Sequence, residues 1–365
     1  MVTLRKNNHL DYTLLIVVAV LVLSGILIIS SVSTALSLKK FGNTYSFLIH
    51  QLIFGILPGI ISVFLFYKIP LSFLKKWAPI FLLLNLVLLT MVFVPKIGTS
   101  LGGATRWISL GQFSFQPSEF LKLTFILYLA AWLASRAEKE KKANLIAFLT
   151  VIILVSLLLY FQPDVSTLGI IILVAAIMYF LGNTPVWHSV FIFLAGAGGL
   201  LALVKLASYR LNRILVFLEP ETDPLGIGYQ IKQALIAVGS GGIFGLGLGM
   251  SRQKFGFLPQ TMSDSIFAVF SEETGFIGSF ILIFLFLLFL WRGFEISKKT
   301  KNKFSQFLSL GITTWVVIQA FIHVSSMIGI LPLTGSPLSF ISYGGSHLIA
   351  ELAGVGILLN ISKNV

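Results

Sequence analysis

Charged residues are rare in this sequence, and they concentrate in one polar interval, residues 209–278. Six of the thirteen acidic residues lie there. A carboxylate can take the proton of an attacking hydroxyl, and cations can hold phosphate oxygens. We therefore expect chemistry in this interval. Its charged residues are Arg210, Arg213, Lys232, Arg252, Lys254, Glu219, Glu221, Asp223, Asp264, Glu272 and Glu273.

Asp264 is the candidate catalytic carboxylate, because it stands where the polar interval meets an apolar run. A helix would hold its backbone while its side chain faces a polar chamber. Arg252 and Lys254, twelve and ten residues earlier, could favour its ionised form and meet phosphate oxygens. A carboxylate here could instead cap the N-terminus of the following helix. The sequence leaves both interpretations open.

Glu119 and Lys122 form a second candidate group inside an apolar run. Their spacing of three places both side chains on one face of a helix. An ionisable pair within a membrane is costly and points to a polar cavity. The alternative is a plain helix start, since Pro117 suits the first turn and Glu119 favours the positive end of the helix dipole.

Two further polar groups lie beside apolar runs. His347 and Glu351 are four residues apart, so we expect a buried pair in which each satisfies the other, with a proton relay as the alternative. The segment from Gln162 to Asp164 contains Pro163 and is typical of a tight turn between two helices.

The glycines at 239–249 are not a nucleotide-binding fingerprint, because no strand–loop–helix context surrounds them. We expect them to permit tight turns and close backbone contacts. The segment from Tyr229 to Val238 favours a helix but is too short to span a membrane. It is expected to lie in the membrane interface or to re-enter between helices.

These residues must be positioned by membrane helices. The chain is 56 % hydrophobic and 11 % charged, with a mean hydropathy of +0.96. Runs of about 18 or more apolar residues recur, each long enough to cross a bilayer. The sequence predicts an all-α polytopic membrane protein with one domain over 1–365, about ten transmembrane helices, and a long extracytoplasmic loop, 207–263, between spans seven and eight. The spans are 12–36, 46–67, 77–95, 118–135, 144–161, 165–182, 186–206, 264–291, 306–331 and 341–361.

Basic residues set the expected orientation. The short connections that carry most of them are predicted to be cytoplasmic, as are both termini, which puts 207–263 outside. The apolar part of the first run, Tyr12 to about Val32, exceeds the roughly 7–15 residues of a cleavable signal, so it is interpreted as an uncleaved span. The net charge of +13 forms no continuous stripe, which argues against nucleic acid and for lipid headgroups. The absence of cysteine excludes disulfides and a cysteine nucleophile.

Seven motifs in order resemble the SEDS family (FtsW, RodA, SpoVE), with most likeness to the FtsW and SpoVE branch, and the resemblance spans essentially the whole chain. The motifs are GATRWI (103–108), QPSE (116–119), QPD (162–164), DPLGIGYQ (223–230), IAVGSGGIFG (236–245), DSIFA (264–268) and SYGGS (342–346). The chain departs from the family around Asp264, at Thr274, and at His347, where the family usually has serine. These departures bear on substrate positioning more than on the reaction class.

The resemblance implies an inverting glycosyltransferase that polymerises lipid II on the outer face of the bacterial cytoplasmic membrane. Asp264 would be the catalytic residue. The implied partners are lipid II, an undecaprenyl-linked glycan chain, a class B penicillin-binding protein, other division or elongation proteins, and membrane lipids. A divalent cation such as Mg or Mn could assist, with no organic cofactor. The substrate-binding candidates are Arg106, Glu119, Lys122, Arg210, Arg213, Lys232, Arg252, Lys254, Ser342 and Ser346.

Two other functions are compatible with the sequence. A lipid II flippase would use the ionisable residues inside the spans as a translocation path. A weakly active scaffold for a transpeptidase would fit the altered residues around Asp264. The polymerase is favoured because the densest set of charges lies at the predicted outer face.

Overall fold

A computed structural model describes residues 10–95, 97–101, 104–110, 113–138, 144–182, 184–205 and 208–363. Helices dominate this part of the chain, and they confirm the polytopic all-α class. Their bounds are α1 Tyr12–Phe41, α2 Ser46–Gln51, a π turn Leu52–Ile56, α3 Leu57–Lys68, α4 Leu71–Met91, α5 Pro117–Glu138, α6 Leu145–Phe161, α7 Val165–Leu181, α8 Val186–Lys205, α9 Ser208–Leu218, α10 Ile227–Ser240, α11 Ile266–Lys299, α12 Lys303–Met327 and α13 Gly345–Ser362.

Ten apolar helical segments occupy the ten predicted intervals. Within the described ranges, seven are long and apolar enough to cross a membrane, with α2, the π turn and α3 counted as one. The other three are shorter apolar stretches: α6, α7 and the part of α8 over Val186–Gly199. Several boundaries differ from the prediction: α4 begins six residues earlier, at Leu71, and α11 continues to Lys299. Both helices continue past the apolar run into residues with Lys and Arg side chains. The long stems of these side chains let their charged ends reach the membrane interface from the terminal turns.

Side-chain caps fix several helix starts. Asp11 accepts a 3.0 Å hydrogen bond from Leu14 N at the start of α1, and Asn144 accepts one of 2.9 Å from Ile146 N at the start of α6. Asn302 does the same for Ser305 N at the start of α12. These caps satisfy backbone N–H groups that have no partner within the helix.

The helices α12 and α13 form the centre of the bundle. Almost all of their residues are buried, and α13 packs against α3, α5, α11 and α12. Close contact with α3 requires a glycine, because a Cβ at Gly356 would lie 2.6 Å from the Val63 carbonyl oxygen. A central α13 places its first turns, which carry Ser346, His347 and Glu351, inside the protein.

Three short strands between α4 and α5 form a small antiparallel sheet that the sequence did not predict. Its strands are β1 Gly98–Leu101, β2 Ala104–Leu110 and β3 Phe113–Phe115, with Thr99 opposite Trp107 and Ile108 opposite Phe115. Along β2, Ile108 is buried, whereas Ser109 is exposed. The sheet leads directly into Pro117 at the start of α5, so it positions Arg106 above that helix.

The long loop between α8 and α11 contains the predicted short helix and one more. The helix over Tyr229–Val238 is confirmed as α10, and α9 precedes it. Of the cations used to predict orientation, Arg5, Lys6, Lys96, Lys139, Lys141 and Lys142 lie outside the described residues. The orientation itself stays a prediction.

Candidate active site

Asp264 lies in the last residues before α11 and faces a cavity of about 300 Å³. The residue at the helix N-cap is Ser265, and no side chain makes a cap hydrogen bond there. The capping alternative for Asp264 is therefore wrong. Charged and polar residues from five parts of the chain line this cavity: Arg106, Trp107, Gln116, Glu119, Lys122, Asp164, Ser166, Thr167, Gln260, Ser263, Asp264, Ser336, Tyr343, Ser346 and His347.

Burial raises the pKa of the Asp264 carboxyl above its ordinary value of 3.8. Three weaker effects act in the opposite direction: a hydrogen bond from Ser263, and the positive charges of Arg213 and Arg106. The side chain is thus a carboxylate with raised proton affinity that still has cations nearby. The raised proton affinity suits a general base, because it moves the pKa of the carboxyl towards the working pH, and the cations oppose this rise.

Backbone carbonyls hold both arginines in place. Arg106 donates to the carbonyl oxygens of Gln162, at 3.0 Å, and Pro163. Arg213 on α9 donates from Nη1 to Leu333 O at 3.2 Å and Thr334 O at 3.4 Å. These bonds connect the sheet to the α6–α7 turn, and α9 to the segment before α13. Two guanidinium groups are thereby fixed close enough to Asp264 to lower the pKa of its carboxyl.

Glu119 and Lys122 form the predicted pair on α5. Lys122 Nζ lies 2.7 Å from Glu119 Oε2 and 2.7 Å from Gln319 Oε1 on α12. The ammonium also lies 5.4 Å from the centre of the Trp315 ring. Both charged side chains are buried and both line the cavity. Gln319 was missed, although a glutamine within an apolar span is itself a signal of a polar site.

Asp164 makes more contacts than a tight turn requires. It caps α7 by accepting bonds from Thr167 N at 3.3 Å and Thr167 Oγ1 at 3.0 Å, and it accepts a 2.9 Å bond from Ser118 Oγ. The turn itself is as predicted. Because Asp164 also lines the cavity, the turn brings a third carboxylate to the site, besides Asp264 and Glu119, and joins α7 to the start of α5.

The predicted pairing of His347 with Glu351 is wrong. Glu351 accepts a 3.0 Å bond from Gln319 Nε2 and a 2.7 Å bond from Phe340 N. His347 Nε2 has no hydrogen-bond partner among the described residues. The segment that precedes α13 folds back over the helix. The backbone N–H of Phe340 in this segment therefore bonds the Glu351 carboxylate in place of the His347 ring.

Ser342 and Ser346 tie the same segment to the site. Ser342 Oγ donates a 2.8 Å bond to the carbonyl oxygen of Ser263, next to Asp264. Ser346 Oγ accepts a 3.0 Å bond from Gln116 N. Ser346 lines the cavity, whereas Ser342 supports the backbone beside Asp264.

Six predicted substrate contacts lie outside the cavity lining: Arg213 and Ser342, described above, and Lys254, Arg210, Lys232 and Arg252. Lys254 is buried in an ion pair, with Nζ 2.9 Å from Glu273 Oε1 and 2.8 Å from Ser31 Oγ. The expectation that it acts on Asp264 is wrong, because Glu273 on α11 is a nearer charge partner. Arg210 is buried with its guanidinium 5.1 Å from the centre of the Tyr160 ring. Lys232 and Arg252 are exposed.

The family model of FtsW, RodA and SpoVE, described as cell cycle protein, matches residues 11–365. The chain belongs to this family. It is 37 % identical to stage V sporulation protein E of Bacillus subtilis over 98 % of both chains. It is also 37 % identical to the probable peptidoglycan glycosyltransferase FtsW of Trichlorobacter lovleyi, over 99 % of this chain and 96 % of that one.

Solved structures related to this SEDS protein share its fold. One is a chain of a peptidoglycan synthase complex that coordinates polymerization and crosslinking, with a TM-score of 0.76, 26 % identity and 97 % of both chains covered. Another is the rod shape determining protein RodA of Thermus thermophilus, with a TM-score of 0.71, 26 % identity, and 97 % and 96 % of the chains covered. The match to the family includes every residue that lines the cavity.

Proposed function

We propose that this protein is a peptidoglycan glycosyltransferase that polymerises lipid II at the outer face of the bacterial cytoplasmic membrane. The observation that carries this proposal is the position of Asp264. It does not cap α11 but faces a cavity that also contains Arg106 and the Lys122–Glu119 pair. Both FtsW and SpoVE relatives match almost the full chain, and the FtsW relatives are named as probable peptidoglycan glycosyltransferases.

In the proposed reaction, the 4-hydroxyl of the acceptor sugar attacks the anomeric carbon of the donor. A new carbon–oxygen bond forms while the bond between the anomeric carbon and the pyrophosphate oxygen breaks. The configuration inverts, and undecaprenyl pyrophosphate leaves. Asp264 takes the hydroxyl proton. A base positioned in this way accelerates such a reaction by roughly 10²–10⁴-fold.

Cations in the cavity would stabilise the charge that develops on the leaving pyrophosphate. Lys122 has three N–H groups, and two of them donate to Glu119 and Gln319. The third can donate to a phosphate oxygen. Arg106, held by the carbonyls of Gln162 and Pro163, is the second candidate for this contact.

A divalent cation would find a limited set of protein ligands. The described residues contain no group of three or more His, Cys, Asp and Glu side chains that could hold a metal ion. The carboxylates of Asp264 and Asp164 do line the cavity. Mg²⁺ is commonly held by one or two carboxylates together with substrate phosphates. We propose that any metal ion enters with the pyrophosphate and is held by these carboxylates.

A flippase would need polar groups along the whole depth of the membrane. On α13, His347 and Glu351 lie near the start, and no charged residue follows until Lys363. On α5, Glu119 and Lys122 lie in the first two turns, and no charged residue follows until Arg136 at the far end. The cavity therefore opens at one end of the bundle, which supports chemistry at one face.

The structural likeness to a peptidoglycan synthase complex supports a transpeptidase of the penicillin-binding class as partner, in division or elongation. The decisive experiment incubates purified protein with labelled lipid II in detergent and separates the products by gel electrophoresis. Transport has no meaning without a membrane, so glycan polymer in detergent establishes the polymerase. Polymer that forms solely after the partner is added would support the scaffold instead.

A further inference from the structure

The segment 242–258, which we name the apolar loop, exposes large apolar side chains. Phe244 is 80 % exposed, Met250 67 % and Leu248 64 %, and Ile243, Phe255 and Phe257 are also exposed. Apolar surface in water costs about 25 cal/mol per Å². So many large exposed apolar side chains in one short segment mark a membrane or protein contact rather than a water-facing surface.

The backbone of the apolar loop is paired with a break in α11. Gly275 has φ 68° and ψ −166°, which interrupts the helix. Glu272 O and Glu273 O would ordinarily accept from Phe276 N and Ile277 N in an α-helix. Instead they accept from Leu246 N at 3.0 Å and Gly247 N at 3.1 Å.

The two freed N–H groups also turn to the loop. Phe276 N donates to Gly242 O at 2.9 Å, and Ile277 N donates to Ile243 O at 3.1 Å. Four hydrogen bonds between loop and helix thus replace two within the helix. Irregular backbone is tolerated at membrane depth where its polar groups are satisfied by protein in this way.

Side chains and close contacts lock the arrangement. Glu272 Oε1 accepts a 3.0 Å bond from Arg252 N, and Lys254 pairs with Glu273. A Cβ at Gly245 would lie 2.2 Å from the carbonyl oxygen of Glu273, so the loop and helix backbones are in direct contact. The apolar side chains are therefore carried by a fixed backbone.

The depth of this pairing follows from the length of α11. Arg292 begins the charged, predicted cytoplasmic end of the helix, and Glu272 lies twenty residues before it. At 1.5 Å per residue this distance is about 30 Å, the thickness of the hydrocarbon core. The apolar loop therefore meets α11 at the outer boundary of the core. Phe276, whose N–H donates to Gly242 O, is itself exposed, as are Phe280 and Phe284 further along α11.

We propose that the apolar loop inserts its side chains into the outer leaflet and packs against the acyl chains of bilayer lipids. The exposed Arg252 lies at the level where lipid phosphates begin. The insertion anchors the long loop between α8 and α11, and with it the height of the cavity above the membrane. It depends on the predicted orientation and is independent of the role of Asp264.

The natural sequence has no cysteine, so single-cysteine variants can be labelled without background. Phe244→Cys and Met250→Cys would carry a nitroxide spin label in protein reconstituted into phosphatidylethanolamine–phosphatidylglycerol vesicles. Phe284→Cys on α11 is the control for a lipid-facing site, and Thr222→Cys, an exposed polar position before α10, is the control for water. Melting temperatures confirm that each labelled variant folds.

Power-saturation EPR then compares collisions with oxygen, which concentrates in lipid, and with a water-soluble nickel complex. The labels at 244 and 250 are expected to favour oxygen, as the label at 284 does, whereas the label at 222 favours nickel. The proposal is overturned if 244 and 250 behave like 222. It is also overturned if both reagents are excluded from them, because the loop is then covered by protein, a second copy included.

Discussion

Lys122 donates 2.7 Å hydrogen bonds to both Glu119 on its own helix and Gln319 on α12, and all three side chains are buried. The ammonium therefore neutralises one carboxylate and joins two helices beneath the cavity. Removing one partner of a buried ion pair leaves an uncompensated charge, which costs about 3–5 kcal/mol.

We expect Lys122→Met to lower both the melting temperature and polymerisation, because Glu119 is left buried without its cation. The double variant Glu119→Gln/Lys122→Met should lose little more than Lys122→Met alone. Lys299→Met is the matched control, because Lys299 is exposed and its pair with the half-buried Glu295 lies near the surface, where such pairs contribute about 0.2–1 kcal/mol. Losses that add between the two buried positions would show that they act independently.

Glu351 and His347 should respond in opposite ways to substitution. Glu351→Gln puts an amide where both Phe340 N–H and Gln319 Nε2 donate, so one donor faces another and we expect a clear fall in melting temperature. His347→Ser removes an imidazole whose Nε2 has no partner among the described residues and whose ring has a hydrogen bond to the Ser342 backbone, so polymerisation should be largely kept. Thermal unfolding and gel-based polymerisation assays on both variants test this contrast. A loss with His347→Ser as large as that of a catalytic variant would contradict it.

The raised pKa of Asp264 has a consequence for stability. A carboxyl with a raised folded-state pKa stabilises the protein below its unfolded pKa, and this contribution is lost as pH rises through the folded value. Asp264→Asn should therefore gain in melting temperature relative to the natural protein as pH rises from about 4 towards neutrality. Melting curves over this range check the sign. If the melting temperature of the natural protein instead rises relative to that of the variant as pH rises, Asp264 is stabilised in its charged form.

Membrane orientation is testable with reporter fusions. The distribution of cations predicts that Glu221, in the long loop, lies outside and that Lys301, between α11 and α12, lies inside. A periplasmic-active reporter should work at 221 and fail at 301, and a cytoplasmic-active reporter should do the reverse. Equal behaviour at both positions would contradict the predicted orientation and remove the cavity from the outer face.

The membrane helices could be predicted because lipid imposes a simple requirement: each span must be apolar over about 30 Å. The Glu119–Lys122 pair could be predicted for a similar reason, since helical spacing fixes which side chains share a face. The partner Gln319 could not, because it comes from a helix almost two hundred residues away. Pairing between helices depends on packing that a single sequence does not state.

The predictions that were wrong or missed failed for related reasons. Helical spacing did place His347 and Glu351 on one face, but the carboxylate of Glu351 accepts a hydrogen bond from Phe340 N instead. Lys254 is near Asp264 in sequence, yet the break at Gly275 brings the apolar loop down to Glu273. The three-stranded sheet was missed because its strands are short and lie between two strongly apolar helices.

The substitution Asp264→Asn tests whether Asp264 is the general base of the polymerisation. Asparagine keeps the size of the side chain and one hydrogen-bond acceptor, but it cannot take a proton. The fold should survive, because the Asp264 side chain makes no cap bond to α11 and Ser265 holds the cap position. The assay is polymerisation of labelled lipid II by the purified variant, with its melting temperature and lipid II binding measured alongside. If Asp264 is the base, the variant folds and binds lipid II normally and forms no glycan polymer. Polymerisation at close to the natural rate would contradict this role and would show that the base lies elsewhere in the cavity.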